Sequence, residues 1–172
     1  MSLNTQQKIA SVFKQEVLAV GFKQVSISNL MKKCQLRRQT FYDYFSDKYA
    51  LLTWQLNATL TEVIDDNLDY LEWRDILRLF IYEIDANRKY YYECVCAQHE
   101  IDITDTFAMH LLVLFAPVVK QKATQAQTKA NLWLLCLGIA YSLIHNILDP
   151  RPIDYELIVN QAIAAIEFSF IA

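Results

Sequence analysis

Apolar residues at Ile9, Val12, Phe13, Val17 and Val20 recur at the spacing of one helical face. They predict a first helix from Thr5 that Gly21 ends. Ser26 stands where an N-cap hydroxyl would accept from a free backbone N–H, and Ile27, Leu30, Met31 and Cys34 form the stripe of a second, short helix. Gln35 and Leu36 break the pattern, and a third segment starts near Arg37 with Phe41, Tyr44 and Phe45 inward. Two short helices joined by so few residues make a helix-turn-helix. Asp47 is placed to cap a fourth helix whose stripe runs Leu51, Leu52, Leu56, Leu60 and Ile64, reaching Asp66 or beyond.

The remainder reads as further helices over about Trp73 to Ala86, Lys89 to Glu100, Thr104 to Lys120, Thr128 to Leu148 and Asp154 to Ile171, with Pro150 and Pro152 marking a firm break. The expected architecture is all-α: a helix-turn-helix head over residues 1–47 and a helical body over residues 48–172. Ile139, Leu143 and Ile147 in one of the last two helices, and Ile158, Ala162, Ala165 and Ile166 in the other, predict an apolar patch that a second subunit covers.

Composition supports the helical reading. The 172 residues are 54% hydrophobic with only 2 Gly and 3 Pro, too little turn chemistry for many tight hairpins. The cysteines at 34, 94, 96 and 136 lack the spacing of a disulfide framework, and no charged segment followed by an apolar one opens the chain. A reduced, cytoplasmic protein is expected. The apolar run from Leu132 to Ile144 falls short of the roughly 18 residues that cross a bilayer, so no membrane partner is expected.

Charge is divided unevenly. Residues 1–48 carry eight Lys or Arg against three acids, and residues 49–172 carry eight against sixteen. A basic head on an acidic body points the head toward a polyanion. The head also holds QLRRQTFYDYF, residues 35–45, where arginine alternates with aromatic side chains. Arginine can pair bidentately with guanine O6 and N7, and glutamine with adenine N6 and N7. Arg37, Arg38 and Gln39 therefore occupy the base-reading start of the second helix of a helix-turn-helix, with Ser26, Ser28, Thr40, Tyr42 and Lys48 as phosphate anchors.

Other chemistry is sparse. Cys94 and Cys96 lie too far apart around a helix to share a ligand face, which leaves Cys96 with His99 or Glu100 and argues against a metal site. No glycine-rich phosphate loop, G-x-S-x-G elbow or H-E-x-x-H is present, so neither an enzyme nor a cofactor is expected. Tyr82, His110, Trp133, Tyr141 and His145 are candidates to line an effector pocket, with core packing as the competing reading.

Ser26 to Leu52, SISNLMKKCQLRRQTFYDYFSDKYALL, resembles the DNA-binding signature of TetR-type bacterial regulators, with Thr40, Tyr42, Tyr44, Phe45, Lys48 and Leu51 at the expected places. The resemblance implies a homodimer on a palindromic double-stranded DNA operator, controlled by a small-molecule effector or a partner bound to the body. Where that signature has Ala-Gly-Val-Ser, this chain has Cys34, Gln35, Leu36 and Arg37, so the turn glycine is missing and strain is expected there. The variant RRQTFYDYF with a short body is similar to a Gram-positive subgroup that includes the activator of dihydroxyacetone kinase operons. That similarity implies an alternative, a co-regulator with no effector pocket of its own that acts through a partner sensor protein.

Overall fold

The helical spacing becomes nine α-helices in the computed structural model, which describes the backbone of residues 3–97, 101–120 and 125–171. They are α1 (Leu3–Val20), α2 (Ile27–Lys33), α3 (Arg38–Tyr42), α4 (Lys48–Asp65), α5 (Trp73–Ala86), α6 (Arg88–Val95), α7 (Ile103–Lys120), α8 (Gln125–Leu148) and α9 (Tyr155–Ile166). A 3₁₀ turn at Phe22–Gln24 follows α1, and a π-type turn at Glu167–Ile171 follows α9. No strand occurs among the described residues. Two predicted helices end early: α6 stops at Val95, and α9 gives way to the π-type turn after Ile166.

The chain forms two compact units, one of Met1–Ala58 with Lys89–Ile101, the other of Thr59–Arg88 with Asp102–Ala172. These units do not coincide with a division at residue 47. The reason lies in α6, whose side chains bond into the helix-turn-helix unit. Lys89 donates to the Leu18 carbonyl at 3.0 Å, the Glu93 carboxylate accepts from the Phe22 N–H at 2.9 Å, and the Tyr90 hydroxyl donates to Gln55 Oε1 at 3.0 Å. The core of this unit is built from Ile9, Phe13 and Val17 of α1, Leu30, Met31 and Cys34 of α2, Phe41 of α3, and Leu51 and Leu52 of α4, all buried.

In the second unit α7 and α8 pack along each other, α5 packs on α7 and α9, and α9 packs on α8. The 20 residues from Lys129 to Leu148 are long and apolar enough to cross a membrane by length and composition, more than the unbroken Leu132–Ile144 run had indicated. Here that apolarity serves packing, since Leu132, Cys136, Ile139, Ala140, Leu143 and Ile147 are buried.

Ile158, Ala162 and Ile166 are buried as well, so the stripe expected to meet a second subunit is the unit's own core. A different stripe faces outward. On α8 it includes Leu134, 66% exposed, Tyr141, 64% exposed, and Leu148; Leu157 of α9 and Phe168, 86% exposed, lie on the element that follows. The break at Pro150 and Pro152 is held by Asn146, whose Oδ1 accepts from the Ile153 N–H at 2.8 Å and whose Nδ2 donates to the Ile153 carbonyl at 3.1 Å. Arg88 Nη2 closes the end of α8 by donating to the carbonyls of Ile147 and Asp149 at 3.0 and 2.5 Å.

Candidate nucleic-acid interface

The turn between α2 and α3 supplies what the missing glycine would. The Leu36 N–H donates to the Met31 carbonyl at 2.9 Å and the Gln35 N–H to the Lys32 carbonyl at 3.0 Å, the two bonds of a Schellman motif. Gln35 is the residue in the left-handed region, with φ 55°. An L-residue there carries a steric cost of about 1–2 kcal/mol, so the expected strain is located at this one position.

Behind α3, aromatic packing holds the helix in place. Phe41 and Phe45 are buried with ring centroids 5.6 Å apart, and Phe45 meets Trp54 of α4 edge-on at 5.7 Å. Leu36 and Tyr44, expected inward, are half-buried. In front of α3, Arg37, Arg38, Gln39, Tyr42 and Asp43 are exposed, and Thr40 is half-buried. Arg38 and Tyr42, one helical turn apart, are joined: the guanidinium donates through Nη2 to the Tyr42 hydroxyl at 3.0 Å, and its Cζ lies 5.7 Å from the ring centroid. A cation and a hydroxyl thus share one outward patch.

Ser26 and Ser28 are also exposed, at the start of α2. Ser26 takes the N-cap position with extended backbone, but its side chain makes no capping hydrogen bond, contrary to the role first given to it. Asp47 does cap α4 as expected, its Oδ1 accepting from the N–H groups of Tyr49 and Ala50 at 2.9 and 2.8 Å.

Lys48 is engaged inside the unit. Its ammonium donates to the carbonyls of Phe22, Lys23 and Val25 at 3.1, 3.0 and 3.5 Å and stands 4.8 Å from the Phe22 ring centroid. Burial lowers its pKa. The three donors of an ammonium are therefore directed to the connection between α1 and α2. Sequence reasoning missed this, and it missed the grip of Glu93 on the same connection and of Lys89 on the last turn of α1. Partners some 70 residues apart leave no local signal.

The five side chains proposed to line an effector pocket are not gathered into one. Tyr82 is 70% exposed and borders an open groove of about 500 Å³ between α4 and α5. His110 is half-buried on α7, Trp133 is half-buried on α8, and Tyr141 and His145 are exposed on α8 with ring centroids 6.4 Å apart. None of these four lines the groove. Cys94 is buried, and burial pushes its thiol pKa up, while His99 and Glu100 lie outside the described residues.

No family model matches the chain. Thermus thermophilus FadR, a TetR family transcriptional repressor solved in complex with lauroyl-CoA, shares the fold at TM-score 0.65 and 14% identity, over 97% of this chain and 96% of that one. The HTH-type dhaKLM operon transcriptional activator DhaS of Lactococcus lactis subsp. lactis (strain IL1403) is 38% identical over 90 residues, 52% of this chain and 48% of that protein. The match thus spans about half the length of that curated relative. In solved form, the dihydroxyacetone kinase operon activator DhaS superposes at TM-score 0.75 with 27% identity over 97% of this chain and 98% of its own. The chain thus resembles TetR-type regulators, the DhaS activator among them.

TetR-type regulators are not enzymes, which agrees with the lack of catalytic motifs in the sequence. Helix α3 has only five residues, and its outward side chains are nearly all polar.

Proposed function

We propose that the chain acts in the cytoplasm as a homodimer that reads a palindromic operator in double-stranded DNA, under control exerted through its body. The observation that carries this reading is the division of α3 into a buried aromatic side and an outward run of Arg37, Arg38 and Gln39. Those three residues read bases. Ser26, Ser28, Thr40 and Tyr42 hold phosphates, while Lys48 contributes by fixing the start of α4 rather than by reaching out.

The dimer interface is the outward stripe of Leu134, Tyr141 and Leu148 on α8 together with Leu157 and Phe168. A palindromic operator requires the two recognition helices about one turn of DNA apart, roughly 34–36 Å, or somewhat more. Control requires only that an effector or partner prefer one spacing of the heads. No cofactor enters this mechanism.

A second reading concerns the controller. Small-molecule sites enclose most of their ligand. Tyr82 borders an open groove and the other four candidates lie apart from it, which favours control by a partner sensor protein.

Arg38→Ala tests the base-reading role. Its expected effect is a loss of roughly 1–3 kcal/mol on operator DNA with relaxed preference at one base pair, measured by anisotropy on a set of single-base operator variants. Equal losses on operator and random DNA contradict the role.

A further inference from the structure

The groove between α4 and α5 has a regular construction. On α4 and the turn that follows it the lining includes Thr59, Glu62, Val63 and Asp66, and on α5 Leu79, Tyr82, Glu83 and Ala86, each set at i, i+3, i+4 and i+7. Each segment therefore presents one full stripe of two turns to the same open space. Two such stripes make the seat that a third helix takes in helix-in-groove recognition.

Charge identifies the occupant. Among the described residues the lining holds the carboxylates of Glu62, Asp66 and Glu83 and no Lys or Arg. From residue 49 to 73 the chain has five acids and no basic residue. The arginines at the start of α5 face other acids: Arg74 Nε donates to Glu167 at 2.8 Å, and Arg78 pairs with Asp75 at 3.0 Å and Glu156 at 3.5 Å. Between the carboxylates lie Val63, Leu79 and the exposed Tyr82, and beyond Asp66 the chain continues into a loop where Tyr70 is 84% exposed. An acidic rim around apolar seats complements a helix with an apolar stripe flanked by Lys or Arg.

We propose that this groove docks a basic amphipathic helix of a partner protein. Apolar side chains of that helix sit on Val63, Leu79 and Tyr82, and its cations face Glu62 and Asp66. The proposal deepens the partner reading above and rests on it.

The test uses the full chain and a fluorescein-labelled peptide of roughly 18 residues with leucine at i, i+3, i+4 and i+7 and lysine elsewhere, beside a leucine–glutamate peptide of the same pattern. Anisotropy is read for the wild type, Tyr82→Ala, the double variant Glu62→Gln/Asp66→Asn, and a charge-matched double variant off the groove, Asp43→Asn/Asp105→Asn. The expected result is binding of the lysine peptide alone, weakened about tenfold or more by either groove variant and less than about twofold by the off-groove variant. Equal weakening by both double variants shows general attraction to an acidic protein and overturns the proposal. So does binding of tetraphenylphosphonium in place of the peptide, which makes the groove a small-cation site.

Operator binding is measured on the same samples. Wild-type protein that binds operator but not the lysine peptide overturns the docking site and leaves the DNA reading standing, whereas failure of both overturns both.

Discussion

Among the described residues Gln35 and Gly21 have positive φ, 55° and 81° respectively, and they carry opposite consequences. At Gly21, with ψ 148°, the backbone occupies a region open almost only to glycine, and an added Cβ would stand 3.1 Å from the Glu93 carboxylate. Gly21→Ala is expected to cost about 1–3 kcal/mol in urea unfolding. Gln35→Gly removes the left-handed penalty of an L-residue but adds unfolded-chain freedom, for a net gain of up to about 1 kcal/mol. A loss of stability on Gln35→Gly would contradict the strain assigned to the turn. Gly21 was legible in the sequence as a helix end, but the carboxylate beside it was not, because Glu93 lies 71 positions away from its bonded partner Phe22. The outward run Arg37, Arg38, Gln39 was legible because the aromatic stripe of the same segment settles which way the helix faces.

At the scale of elements, periodicity located the helices because each has an apolar face, and caps such as Asp47 located starts. It assigned to a second subunit a stripe that the unit largely buries within itself. On α8 the most apolar side, with Ile139, Leu143 and Ile147, goes to the unit's own core, and the weaker stripe of Leu134, Tyr141 and Leu148 is left outside. A sequence cannot rank two apolar stripes without knowing which neighbours cover them. Helix α7 carries a testable consequence of its packing. Burial lowers the pKa of His110 from 6.5, with Asp65 acting in the opposite sense. The unfolded chain then binds more protons than the folded one just below that value, so the contribution of neutral His110 is present above pH 6.5 and is lost as pH falls toward the folded pKa. Urea midpoints of wild type and His110→Gln compared from pH 7.5 to 5.5 should show a steeper decline in the wild type. Parallel declines contradict the assignment.

For the whole molecule, the uneven charge proved informative in two ways. The basic excess belongs to the segment that carries α3, and the acidic excess includes the rim of the groove between α4 and α5. The groove itself was not legible, since its acids read as ordinary solvated surface until two helices brought their stripes together. Reading of a specific DNA sequence by a dimer, as proposed above, can be tested directly. The most direct measurement is fluorescence anisotropy of the full chain on the DNA immediately upstream of its own gene, beside a scrambled duplex, across a salt titration. Affinity for the upstream DNA is expected to exceed that for the scrambled duplex by on the order of a thousandfold or more and to fall steeply with salt. Equal affinity for the two duplexes at every salt concentration would contradict the proposal.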